Sequence, residues 1–275
     1  MKRSLVTFNC STSNRRALAE LTCPFQIMPG GHKCLSAAEL ATFEEMKNEN
    51  ILIHMNYITR PFSNEISAVT KLNIKNCVKL AHRLGTQHIL IHMPSNINEY
   101  NAYAIGLDFL FKEVCDKGCI LQLETNPLSK ELRNYLGIDK KNAAAKYYEY
   151  TNHILSMIPQ KYKKSVHIVV DTAHLFSNGL YGEDMPAYIQ KYLNIIDFIH
   201  LNGNLNSILT KDAHVPMYDS RNRIDSVDEL MEYLSSIKRI LVTENSTEKG
   251  EYKRWQAFCK KYELDLVDES SIMNV

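Results

Sequence analysis

The 275-residue sequence has one tryptophan, ten glycines and eight prolines, and no Pro-, Gly- or Ser-rich stretch that would link two domains. It lacks any apolar run near the roughly 20 residues needed to span a bilayer. Its apolar start, 5–8 behind Lys2 and Arg3, is too short for a secretory signal. No G-x-G-x-x-G follows the first apolar run, which removes support from a dinucleotide-binding fold. Seven cysteines, an odd number with no C-x-x-C pair, speak against a disulfide framework and for a reducing compartment. An intracellular location, cytoplasm or nucleus, is therefore expected, and not secretion. Cys115 and Cys119 read as a helix-end and a buried thiol; whether Cys10 and Cys23 pair is left open. Charge of one sign is also missing: 32 Lys and Arg stand against 31 Asp and Glu, net +1. Taken alone, this speaks against a nucleic-acid binder.

What the sequence does have is alternation. Short apolar runs rich in Ile, Val, Leu and Phe lie at 5–8, 25–28, 51–53, 88–91, 119–123, 166–170, 195–199 and 240–243. Most are nearly continuous in apolar residues, as strands buried on both faces are. Between them, segments with helical spacing of apolar residues cover 12–21, 36–48, 65–84, 101–117, 140–157, 183–192, 226–237 and 251–262. Eight strand–helix units in this length predict a parallel sheet closed into a (β/α)8 TIM barrel, one domain over 1–275. An open doubly wound sheet is the competing arrangement. The long segment 202–225 is the one conspicuous interruption, and loops of that length are usually functional or disordered.

The third to eighth runs end in His54, His92, Glu124, Asp171, His200 and Glu244. In a barrel these six would all point into the C-terminal face, where barrel enzymes keep their active sites. One His at a strand end is more often a satisfied polar residue than a ligand. Six in succession is different, because only 31 Asp or Glu and 10 His are spread over 275 positions. His174 follows in Asp171-Thr172-Ala173-His174, and Asp212-Ala213-His214 lies within the long loop. Five His and four carboxylates suit Zn²⁺, Mn²⁺ or Fe²⁺, and nine ligands exceed the needs of one ion. His32, His82, His88, His153 and His167 fall at strand starts, within helices or in a remote loop, and read as structural or exposed.

With these residues in view, the chain resembles the endonuclease IV family, the second family of apurinic/apyrimidinic endonucleases. The resemblance runs from about Ile51 to Asn245 and rests on Asp171-Thr172-Ala173-His174, His200-Leu201-Asn202, Asp212-Ala213-His214 and Leu123-Glu124-Thr125. It implies a zinc enzyme of base excision repair that hydrolyses the DNA backbone 5′ to abasic sites through a metal-bridging hydroxide. By the same resemblance His54, His92 and Glu124 hold one Zn²⁺; Glu124, Asp171, His200 and Glu244 a second, with Glu124 bridging; and His174, Asp212 and His214 a third. Mn²⁺ in part of the sites is compatible with this. Glu124 and Glu244 are the carboxylates expected to matter most to catalysis.

The resemblance further implies that Tyr57 and Ile58 wedge into the duplex at the lesion, and makes Lys33 a candidate DNA contact. The partner would be double-stranded DNA with abasic sites, met by a monomer and not at a membrane. Three bound Zn²⁺ would raise the charge at the pocket and reconcile a near-neutral chain with a phosphodiester substrate. The chain departs from the family at Phe8-Asn9-Cys10-Ser11, at Gly203 where the family has Asp, and at Val215-Pro216-Met217-Tyr218. A metal-dependent sugar isomerase or epimerase of the same barrel class is the alternative; it would need one or two ions, leaving His174, Asp212 and His214 without a role. A barrel that grips damaged DNA without cutting it would not need all nine ligands.

Overall fold

The computed structural model describes residues 3–10, 23–30, 33–43, 50–244 and 249–269. Strands β1 (Leu5–Cys10), β2 (Phe25–Ile27), β3 (Ile51–His54), β4 (His88–His92), β5 (Ile120–Glu124), β6 (Val166–Asp171), β7 (Ile196–His200) and β10 (Ile240–Thr243) pair in parallel, each with the next. The β10–β1 pairing, with Leu5 opposite Ile240, closes the ring into the expected (β/α)8 barrel. A short ribbon, β8 (Gly203–Asn204) against β9 (His214–Val215), stands on the segment after β7. Strand β11 (Asp265–Leu266) pairs in parallel with the start of β1, Leu5 and Val6.

The helices are α1 (Ala37–Ala41), α2 (Ala68–Leu84), α3 (Ile97–Asn101), α4 (Tyr103–Glu113), α5 (Lys130–Leu136), α6 (Ala143–Ser156), α7 (Thr172–Ser177), α8 (Asp184–Tyr192), α9 (Val227–Ser236) and α10 (Lys249–Lys261). Their ends follow capping chemistry. Helix α2 starts at 68 and not at 65 because the Ser67 side chain accepts from Thr70 N–H, and it stops at Gly85, whose φ of 73° takes the left-handed turn. The sequence pattern does not separate α3, α5 and α7, which have 5, 7 and 6 residues, too short for a helical period to register. The segment 12–21, part of 36–48, and His32 lie outside the described residues.

The outer core packs strand residues such as Val6, Phe8, Ile53 and Ile91 against the helices, with Trp255 fully buried beneath. Inside the barrel a separate layer forms from Leu52, Leu90, Val169, Phe198 and Val242. Each of these lies two residues before a strand-end His, Asp or Glu. Side chains two apart on a strand share a face, so the packing that buries this layer also aims His54, His92, Asp171, His200 and Glu244 inward above it. From the level of this layer, opposite Leu90, Gln122 Nε2 donates to Asp197 Oδ2 at 2.8 Å and lies 2.9 Å from His88 Nδ1, while His167 Nδ1 meets Asp197 Oδ2 at 2.5 Å. His88 and His167 thus belong to a polar layer at the opposite mouth. None of the seven cysteines is in a disulfide. No helix among the described residues is long and apolar enough to cross a membrane.

Candidate metal centre

The nine sequence-predicted ligands converge at the C-terminal mouth. His54, His92, Glu124, Asp171 and His200 each close a barrel strand, and Glu244 directly follows β10. Asp171 also caps α7: its carboxylate accepts from His174 N–H at 2.9 Å. That cap fixes the first helical turn and explains why a His three residues after the Asp returns to the same site. Asp212 and His214 arrive on the 202–225 segment, whose ribbon pairs Asn204 with His214. Asn222 holds this segment by accepting from Asn204 and Ile224 N–H and donating to Met217 O. A Cβ on Gly203 would come within 2.7 Å of Asn222 Cγ, so the glycine is a steric requirement of the loop closure.

Three groups bring their ligand atoms within 4.8 Å of one another: His54, His92 and Glu124; Glu124, Asp171, His200 and Glu244; and Asp171, His174 and His214. Glu124 is shared by two groups, with Oε2 3.2 Å from His54 Nε2 and 3.3 Å from His92 Nε2, and Oε1 2.8 Å from His200 Nδ1. Asp212 reaches the third group, 2.8 Å from His214 Nε2 and 3.5 Å from His174 Nε2. The third group as the structure assembles it is Asp171, His174 and His214, with Asp171 Oδ2 3.7 Å from His214 Nε2; Asp212, expected from the sequence in the place of Asp171, stands beside it.

The residues fit divalent cations on two grounds. His54 Nε2 and Glu124 Oε2 are buried without a hydrogen-bond partner although they face each other, as two donors to a shared ion would. Buried carboxylates also demand positive charge nearby. In the metal-free chain imidazolium provides it. Burial opposes charge on His174, but Asp171, Asp212 and Glu124 outweigh it and raise its pKa to about 9. For His200, burial is outweighed by Glu124, Glu244 and Asp171, and for His214 by Asp171, Asp212 and Glu244; both are held well above the ordinary value. At His92 burial wins, and its pKa falls to about 4. Glu124 and Glu244 are held below the usual carboxylate range against the cost of burial, His200 being the largest opposing influence on each.

A second layer of contacts was not anticipated from the sequence. Asn202 Nδ2 donates to Asp171 Oδ2 at 2.7 Å and approaches Glu244 Oε2 at 3.3 Å. Asn204 Nδ2 donates to Asp212 Oδ1 at 3.1 Å, and Thr125 Oγ1 accepts from Asp171 N–H at 2.9 Å. Gln26, fully buried on β2, lies between His200 and Glu244. The signals were present: Asn202 completes His200-Leu201-Asn202, and Gln26 is the one polar residue in an apolar run.

At the rim, Tyr57 and Ile58 are 58% and 38% exposed, and the Tyr57 ring stacks on His92 with centroids 5.4 Å apart at 25°. Lys33 is exposed on the neighbouring loop, its carbonyl accepting from Asn56 Nδ2. A cleft of about 230 Å³ opens against His92, lined by Tyr57, Arg60, Ser95, Glu99 and Asn126 among others.

No protein-family model and no curated protein sequence matches the chain. Solved structures do match. Endonuclease IV from Thermus thermophilus superposes with a TM-score of 0.62 at 14% identity, over 94% of this chain and 98% of that one. A D-tagatose 3-epimerase-like protein gives 0.63 at 18% identity, over 93% and 96%. A structure described as AsfvAP:AG gives 0.62 at 15%, over 94% and 99%. The barrel is thus similar to an endonuclease and to an epimerase-like protein alike, and at these identities the likeness is one of fold.

Proposed function

We propose that this chain is a metal-dependent phosphodiesterase that cuts duplex DNA 5′ to abasic sites, with three divalent ions, mostly Zn²⁺, in its barrel mouth. The observation that carries the reading is the convergence of eight ligand-type residues in three overlapping sets, with Asp212 beside the third, 2.8 Å from His214 Nε2 and 3.5 Å from His174 Nε2. His54, His92 and Glu124 would hold one ion; Glu124, Asp171, His200 and Glu244 the second; His174, Asp212 and His214 the third. Ions held there supply Lewis acidity toward a phosphoryl oxygen and acidify water at neutral pH. The protein's part is to keep Glu124 between two sets, to orient Asp171 and Glu244 through Asn202, and to present Tyr57 and Ile58 at the rim. A nucleotide without a base leaves the stack at low cost, and an exposed aromatic–aliphatic pair suits the gap it leaves. Lys33 would meet the phosphate backbone.

The cleft against His92 favours a second reading, a sugar isomerase or epimerase, since its volume and its Arg60, Ser95 and Asn126 lining suit a small polyol. One experiment separates the two. The zinc-loaded protein is incubated with an end-labelled duplex carrying one abasic site, with the intact duplex, and with a panel of aldoses and ketoses. Nicking 5′ to the lesion, abolished by chelation and absent from intact DNA, is expected. Sugar turnover with abasic DNA untouched rejects the proposal.

A further inference from the structure

A neutral imidazole offers a metal its lone pair only if its proton sits on the other nitrogen, and a hydrogen bond usually fixes which one. His54 and His174 have this settled by main chain. Their Nδ1 atoms face the carbonyls of Met55 at 2.7 Å and Thr125 at 2.6 Å, which can only accept, so Nε2 is left for the site. His200 is turned the other way. Its Nδ1 faces the site, 2.8 Å from Glu124 Oε1 and 3.7 Å from both Asp171 Oδ2 and Glu244 Oε1, while its Nε2 lies 2.7 Å from Gln26 Oε1. The amide's orientation follows from its other end, where Gln26 Nε2 is 2.9 Å from Glu244 Oε1, a carboxylate oxygen that accepts. Gln26 is fully buried between apolar Phe25 and Ile27, on a strand that carries none of the nine ligands. Barrel packing alone gives no reason for an amide there.

We infer that Gln26 is a positioning residue of the metal centre: it holds the His200 proton at Nε2, leaving Nδ1 as the metal-facing lone pair, and steadies the Glu244 carboxylate with the same amide. This rests on the metal reading above. Where His54 and His174 rely on backbone carbonyls, His200 relies on a side chain, so its orientation can be loosened by a single substitution that removes no ligand.

The test compares wild type, Gln26→Leu, which removes both bonds at similar size, and Gln26→Glu, which restores the acceptor facing His200. Metal retained per chain is measured against chelators of graded strength, folding by circular dichroism, and ligand geometry by the visible spectrum of the Co²⁺-loaded protein. The Leu variant should fold, bind one ion about 10- to 100-fold more weakly and show altered Co²⁺ bands. The Glu variant should bind that ion closer to wild type. Unchanged affinity and spectrum in the Leu variant overturns the inference. Should the Leu variant not fold, Gln26→Met, which keeps the length and makes neither bond, replaces it with the same expected loss and the same overturning result. A wild-type chain that takes up no divalent ion defeats the metal reading itself, an outcome distinct from any difference between variants.

Discussion

Loading the metal-free chain with Zn²⁺ at pH 7.5 should expel about three protons per chain, because metals bind the neutral imidazole. The number comes from the site's charges. His174, with a pKa of about 9, is almost fully protonated at that pH, and His200 and His214 are held well above the ordinary value by the carboxylates around them. His92, depressed to about 4, contributes none, and Glu124, Glu244 and Asp212 are already ionised. Zn²⁺ must therefore displace one proton from each of three imidazoles. The sign follows: metal affinity rises with pH while these protons are still bound, and the release falls by about one as pH passes 9 and His174 arrives already neutral. Isothermal titration calorimetry in buffers of different ionisation enthalpy reads the release directly, since the apparent enthalpy varies with buffer in proportion to it. Fewer than one proton at pH 7.5, or a release unchanged between pH 7.5 and 10, would refute the idea that imidazolium stands in for metal charge at this mouth.

Glu124→Gln should leave the barrel folded but strip metal and lower cleavage by at least about two orders of magnitude, since one carboxylate serves two sets; wild-type rates would reject a bridging role. His214→Ala should lower metal content by about one ion per chain with the fold intact, as measured by atomic emission; a full complement would remove it from the third set. Tyr57→Ala should keep all metal yet bind abasic duplex about 5- to 150-fold more weakly, the equivalent of roughly 1–3 kcal/mol of lost stacking. Equal weakening on undamaged duplex would make Tyr57 a loop-packing residue. Lys33→Ala should flatten the salt dependence of DNA affinity by about one unit of log–log slope, the signature of one phosphate contact; an unchanged slope would take Lys33 off the DNA path.

The barrel was legible because buried parallel strands read as apolar runs, and every expected strand is found within a residue or two of its place. Six of the nine candidate ligands were legible for a related reason: one His, Asp or Glu after an apolar run says little, but six successive runs that end so form a pattern. Short elements escaped, since α3, α5 and α7 depend on caps such as Asn96, Ser129 and Asp171 and not on periodicity. So did the partners of the ligands. Gln26 and Glu244 are 218 positions apart and meet only because β10 closes on β1, which no local pattern encodes. Gly203, where the endonuclease IV family has Asp, reads in the sequence as a departure in a DNA-facing loop. A Cβ there would meet Asn222 Cγ at 2.7 Å, a local steric cause that separates the glycine from the question of substrate.

The choice between DNA and sugar therefore lies at the rim and not in the barrel. Both substrate classes can use ions in this mouth, and the net charge of +1 gives neither an advantage until metal is counted. Three Zn²⁺ would set about six positive charges against the carboxylates of Glu124, Asp171, Asp212 and Glu244, leaving an excess that a phosphodiester in the mouth would meet. A neutral sugar has no use for that excess. It would also bury only the side of Tyr57 that faces the cleft, leaving the outer part of the ring and Ile58 in water. A duplex supplies both what the excess charge attracts and what the exposed pair can cover, and on that physical ground the phosphodiesterase reading accounts for more of the mouth.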